Sequence, residues 1–202
     1  MTRRSGDGGA RGDGGAPAGV SLDELVALVR SRPAALGPVR LVCIDGPAGS
    51  GKTTLAAALA VALDAAVVHL DDLYEGWSGL DGVAGRLDAQ VLTPLADARP
   101  ARYQRYDWAA ERFADWIDLP VPGTLVLEGC GSAPRTVAAR ASAVIWVEAP
   151  AAVRLARGLS RDGEDMREQW TRWMALEAEH FAREGTLGRA DVVVDGTTPV
   201  LP

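Results

Sequence analysis

The sequence predicts one α/β domain: a parallel sheet of five buried strands with helices on both faces. Three observations carry this. Five short apolar runs recur along the chain: VRLVCID (39–45), AAVVHLD (65–71), GTLVLEG (123–129), ASAVIWVEA (141–149) and ADVVVDG (190–196). Their apolarity is continuous and not alternating, which marks strands covered on both faces. Helical patterns lie between them, and strand–helix–strand units impose right-handed crossovers and parallel pairing. Finally, 202 residues with 48% hydrophobic content suit one well-buried domain.

The elements follow in chain order. Residues 1–19 are glycine-rich and nearly devoid of apolar side chains, so they predict a disordered tail before a single domain at 20–202. Ser21 and Glu24 in SLDE fit a capping box, and Pro33 ends the short helix that it starts. KTTLAAALAVAL (52–63) is a strong helix former. Further helical patterns fall at about 86–98, 108–117, 151–160 and 164–184. The net charge of −6 and the pI near 5.0 argue against nucleic acid or an anionic membrane as partner. No apolar run has membrane-spanning length, and Arg3 and Arg4 are not followed by a hydrophobic stretch. The two cysteines, Cys43 and Cys130, make no disulfide framework, which predicts a reduced, cytoplasmic setting.

Between the first strand and its helix, Gly46-Pro-Ala-Gly-Ser-Gly-Lys-Thr53 matches G-x-x-x-x-G-K-[ST]. That context is the one in which this motif forms a P-loop. Glycines let successive amides turn inward onto a phosphate, and the helix start adds its positive end. Gly46, Ala48, Gly49, Ser50, Gly51, Lys52, Thr53 and Thr54 are the expected nucleotide-binding residues. Lys52 is the only lysine; every other basic residue is arginine. A slender stem with a compact ammonium reaches phosphates from inside a tight loop, where a wide guanidinium does not fit. Thr53 supplies a hydroxyl for Mg²⁺.

HLDDLYEGW (69–77) places Asp71 and Asp72 at the end of the second strand, on the sheet edge that carries the loop. One carboxylate there can take a hydroxyl proton or hold Mg²⁺; Asp71 is the expected base and Asp72 the alternative. LVLEGCG (125–131) ends a strand in Glu128, so Thr53, Asp71 and Glu128 form a candidate metal site. Arg154, Arg157 and Arg161 share one helix face. They precede the polar break DGED, a pattern that suits a lid at about 158–168 whose arginines clamp phosphoryl oxygens. In RYQRYDWAAERFADW (102–116), Tyr106, Asp107, Trp108 and Arg112 either line an acceptor pocket or belong to an amphipathic helix that buries Trp108, Phe113 and Trp116. His69 and His180 lack ligand-spaced partners and read as structural.

With these motifs in place, residues 39–196 resemble the uridine kinase-like group of P-loop kinases, which includes phosphoribulokinase and the bacterial type of pantothenate kinase. The likeness rests on Asp71-Asp72-Leu73-Tyr74 after the second strand, Tyr106-Asp107-Trp108, Glu128-Gly129, Arg154-Leu155-Ala156-Arg157 leading to Arg161-Asp162, and Ala190-Asp191. The family's Arg-Gly-Arg run after the lid is replaced by GEDMR, and the uridine-holding histidine after Tyr-Asp-Phe by AAER. The string IDGPAGSGKTT is closer to cytidylate kinase. The resemblance implies a P-loop sandwich with sheet order 2-3-1-4-5 and ATP-dependent phosphorylation of a hydroxyl on a small, nucleoside-like metabolite. Asp71, Lys52 and Arg161 would be catalytic and Arg157 a nucleotide ligand. Asp72, Tyr74, Trp77, Tyr106, Asp107 and Arg112 would line the acceptor site, with ATP and Mg²⁺ as cofactors. A nucleoside monophosphate kinase and a slow, nucleotide-gated ATP-binding protein are the alternatives.

Overall fold

A computed structural model describes residues 19–198, so the tail expected at 1–19 lies outside the described residues apart from Gly19. The chain enters through α1 (Leu22–Ser31). Its Ser21 hydroxyl accepts the Glu24 amide at 3.2 Å, and the Glu24 carboxylate accepts the Ser21 amide at 2.8 Å, a reciprocal cap. Then come β1 (Arg40–Asp45), α2 (Lys52–Leu63) and β2 (Ala66–His69). α3 (Val83–Leu87) runs through a π turn (Asp88–Leu92) into α4 (Thr93–Ala96), the region expected as one helix at 86–98. β3 (Ala101–Asp107) and β4 (Arg112–Leu119) precede β5 (Thr124–Glu128), α5 (Arg135–Ala138) and β6 (Ala143–Glu148). α6 (Ala151–Asp162), α7 (Arg167–Glu184) and β7 (Val192–Asp195) complete the domain.

The main sheet is parallel throughout, in the order β2-β5-β1-β6-β7. Chain numbering therefore differs from the expected 2-3-1-4-5, because the antiparallel pair β3–β4 intervenes as a separate two-stranded sheet. Counted among the five parallel strands alone, the spatial sequence is 2-3-1-4-5. Side chains of the central strands alternate between two cores. Leu41, Cys43, Leu125 and Leu127 join a large cluster with α3, α4, the hairpin and Trp173. Val42, Ile44 and Val126 join a second cluster with α1 and α2. This two-sided burial is what the continuous apolar runs require.

The β3–β4 hairpin corrects the helix expected at 108–117. Its register shifts between Gln104 and Tyr106, so both Tyr103 and Tyr106 face inward, three residues apart as on a helix. The turn is held by Asp107, whose Oδ1 accepts the amides of Ala109 and Ala110 at 3.0 and 2.9 Å. Trp108 and Trp116 are exposed and not core. The second strand ends at His69, two residues earlier than expected, and Leu70–Asp72 form a 3₁₀ turn.

Candidate active site

β1, β5 and β2 lie side by side and end at one edge, where His69 pairs in register with Glu128 and Glu128 with Ile44. The loop from β1 to α2 crosses that edge. Gly46 has φ 133°, and a side chain on it would meet the Val147 carbonyl oxygen at 2.2 Å, so only glycine opens this turn. The amides of Gly49 and Gly51 find no protein acceptor among the described residues, as a cradle for an external anion requires. The Asp45 carboxylate is fully buried beneath the loop and accepts the amides of Gly46, Gly131 and Ala133 at 2.7–3.0 Å. Burial pushes its pKa up, against those amides and Lys52.

Lys52 is buried, and its ammonium donates to the Pro47 carbonyl at 2.9 Å and to Cys130 Sγ at 3.6 Å. Burial alone would lower its pKa; Cys130, Glu128, Asp45 and Glu177 around it raise it overall. Burial pushes the Cys130 thiol up. That thiol lies 3.4 Å from Glu177 Oε2, which also accepts the Ala48 amide at 2.8 Å. Arg154 Nη1 in turn donates to Glu177 Oε1 at 2.6 Å and to the Ala48 carbonyl at 3.2 Å.

A cavity of about 490 Å³ opens beside the loop. Ala48, Gly49, Lys52, Thr53, Asp71 and Glu128 form its floor, and Tyr74, Trp77 and Arg161 its sides. A smaller adjoining space of about 200 Å³ is lined by Gly51, Thr54 and Arg157. Thr53 Oγ1 donates to Glu128 Oε1 at 3.2 Å, and the same oxygen lies 2.6 Å from His69 Nδ1. The Glu128 hydrogen bond raises the His69 pKa more than burial lowers it. A hydroxyl beside carboxylates is a hard-oxygen donor set that fits Mg²⁺. Asp71 is exposed at the cavity, with protein packed closely around its carboxylate. Desolvation by that packing raises its pKa, Glu128 adds to the rise, and Lys52, Arg161 and His69 oppose it.

The structure separates the expected residues into two groups. Those just named converge, but Asp72, Tyr106, Asp107 and Arg112 do not line either space. The 3₁₀ turn swings Asp72 away from Asp71, toward His69, Arg105 and Tyr103. Tyr106 packs between Trp108 and Phe113, and Asp107 holds the hairpin turn. The arginines also diverge in role. Arg154 supports the loop through Glu177, while Arg157 donates to the Gly49 and Gly196 carbonyls. Arg161 forms a two-pronged ion pair with Asp162 at 2.7 and 2.9 Å. The expected lid is mostly helical: α6 runs to Asp162, Gly163 breaks it, and a 3₁₀ turn (Glu164–Met166) leads into α7.

Of the four hairpin residues offered for an acceptor pocket, Trp108 alone lines the cavity. Several other contributors escaped the sequence reading: Met166, Trp170 and Trp173 line it from α7 and its approach. The spacing of Trp170, Trp173 and Glu177 is a helical stripe, readable as an inward face. Asp45, Cys130 and His69 carried no local signal beyond their places at strand ends.

Comparison with known proteins agrees with this architecture. A protein described as a possible uridine kinase from Bacillus stearothermophilus superposes with a TM-score of 0.61 at 21% identity, covering 86% of this chain and 97% of that one. Another, described as a candidate fructose transport system kinase from Silicibacter sp. TM1040, gives 0.52 at 25% identity over 88% and 98%. No curated protein sequence matches the chain. The AAA domain family model (AAA_18) matches residues 42–181, from within β1 to near the end of α7. With well over half its length inside that match, the chain belongs to the AAA-domain family of P-loop proteins, in the fold shared with uridine kinase-like kinases.

Proposed function

We propose that the protein is a P-loop kinase that transfers the γ-phosphoryl group of ATP to a hydroxyl of a small-molecule acceptor. The observation that carries this reading is Asp71: it shares one cavity with Lys52, Thr53 and Glu128, and an aromatic-walled space lies beyond it. Kinase descriptions of the two structural relatives support the same class.

In this reading Lys52 and the loop amides hold the phosphates, with Arg157 bracing the loop from outside. Asp71 accepts the proton as the acceptor oxygen bonds to phosphorus and the bond to the β-phosphate oxygen breaks, releasing ADP. Thr53, Glu128 and Asp71 would hold Mg²⁺, which supplies charge neutralisation at the phosphate oxygens. Arg161 exchanges Asp162 for the transferring group as the lid closes. The monophosphate-kinase alternative needs Arg105 or Arg112 at the acceptor. Neither lines the cavity, and Arg105 pairs with Asp115 at 2.8 Å. A nucleotide-gated switch has no use for an aromatic wall beyond its phosphate site.

The test is Asp71→Asn, which keeps size and hydrogen-bonding reach but cannot take a proton. Transfer should fall roughly 10²–10⁴-fold while MgATP still binds. The wild-type rate should also fall with decreasing pH, on an acid limb where the Asp71 carboxylate takes up a proton and ceases to be a base. That limb should vanish in the variant. A small loss with the limb intact would remove Asp71 as the base.

A further inference from the structure

The wall opposite the P-loop carries a statement about the acceptor, resting on the kinase reading above. We propose that the acceptor is an alcohol carried on a flat heteroaromatic ring, held by ring contacts and not by hydroxyl-binding groups. Trp77 sits at the centre of three other indoles. Its ring centroid lies 5.7 Å from Trp108, 6.0 Å from Trp173 and 6.4 Å from Trp170, all edge to face. These rings fix one another, so they present preformed carbon surface to the cavity.

Their polar handles are largely spent within the protein. The Trp108 indole N–H donates to the Asp71 carbonyl at 3.0 Å, and that of Trp170 to Asp162 Oδ2 at 2.9 Å. The Tyr74 hydroxyl donates to the Cys130 carbonyl at 2.7 Å. Among the described residues the indole N–H groups of Trp77 and Trp173, which both line the cavity, have no such acceptor. The other polar side chains of the cavity are Lys52 and Thr53 at the loop, Asp71, Glu128 and Cys130 at the sheet edge, and the Arg161–Asp162 pair at the lid. A sugar or a ribose presents more adjacent hydroxyls than these two indole donors can meet on the aromatic wall, which disfavours it. A phosphorylated acceptor would find no additional cation on this wall. One hydroxyl facing Asp71 completes the chemistry: its proton passes to Asp71, its oxygen takes the γ-phosphoryl group, and ADP leaves.

The experiment follows ADP release by the full-length protein with MgATP. The ring-alcohol probes are pyridinemethanol, hydroxyethylthiazole and hydroxymethylpyrimidine; the comparators are uridine, fructose, cytidine monophosphate and choline. The best ring alcohol should exceed every comparator in kcat/KM by about 10-fold or more. Trp77→Leu and the hairpin variant Trp108→Leu should each raise its KM by about 10-fold. ATP affinity should be kept in both, and kcat should stay within about 3-fold in Trp77→Leu, whose indole makes no bond to Asp71. Trp108 is 40% exposed, so its replacement tests the wall even where Trp77→Leu does not fold. A comparator that outperforms the ring alcohols, or an unchanged KM in Trp108→Leu, overturns the inference and leaves the kinase reading standing. No ADP release with any acceptor, while MgATP binds, overturns the kinase reading and this inference with it.

Discussion

Lys52 is enclosed where it works. Only 6% of it is accessible, its ammonium is anchored on the Pro47 carbonyl, and its pKa is raised overall because Cys130, Glu128, Asp45 and Glu177 outweigh burial. A guanidinium carries the same charge on a wider planar head, and the loop leaves no room for it. Lys52→Arg should therefore impair phosphoryl transfer nearly as severely as Lys52→Ala. Steady-state turnover of both variants checks this, and near-normal turnover in the arginine variant would show that charge alone is required. The lysine, the loop glycines and Thr53 were legible in sequence because a contiguous motif specifies them. Asp72 was misassigned because a 3₁₀ turn turns consecutive side chains differently from a strand.

At the scale of elements, α6 and α7 meet at Gly158. A methyl group there would lie 2.3 Å from the indole of Trp170. Two effects oppose each other in Gly158→Ala. Helix propensity favours alanine by about 1 kcal/mol. Overpacking against a buried indole costs about 1–3 kcal/mol. Trp170 is 2% exposed and held through Asp162, so it cannot yield easily, and packing should win. Urea denaturation should show a lower midpoint for the variant; a higher one would mean that the indole moves freely. The five parallel strands and four of the longer helices were legible because buried runs and 3.6-residue patterns declare themselves locally. The hairpin was not: its register shift spaced Tyr103 and Tyr106 like helical neighbours.

Across the whole molecule, the lid-side helix and the phosphate loop are joined through one buried ion pair. Glu177 and Arg154 side chains are 2% and 11% exposed, and both reach Ala48. Removing one partner strands a charge, so Glu177→Leu should destabilise the fold by roughly 3–5 kcal/mol. The double variant Arg154→Met/Glu177→Leu should recover most of that loss. Equilibrium denaturation of the three proteins distinguishes this from an additive result, which would deny the coupling. Nothing local foretold this link: Glu177 stands 129 residues from Ala48 and reads as one more acid on a charged helix.

The solitary, enclosed lysine has a consequence for how this protein meets lysine-directed chemistry. A protease that cuts after lysine has one site in the entire chain, and cutting there yields residues 1–52 and 53–202. That site lies at the first turn of α2, beneath the phosphate loop. Appearance of the two fragments therefore reports opening of the loop itself, and an occupant of the cradle slows their appearance.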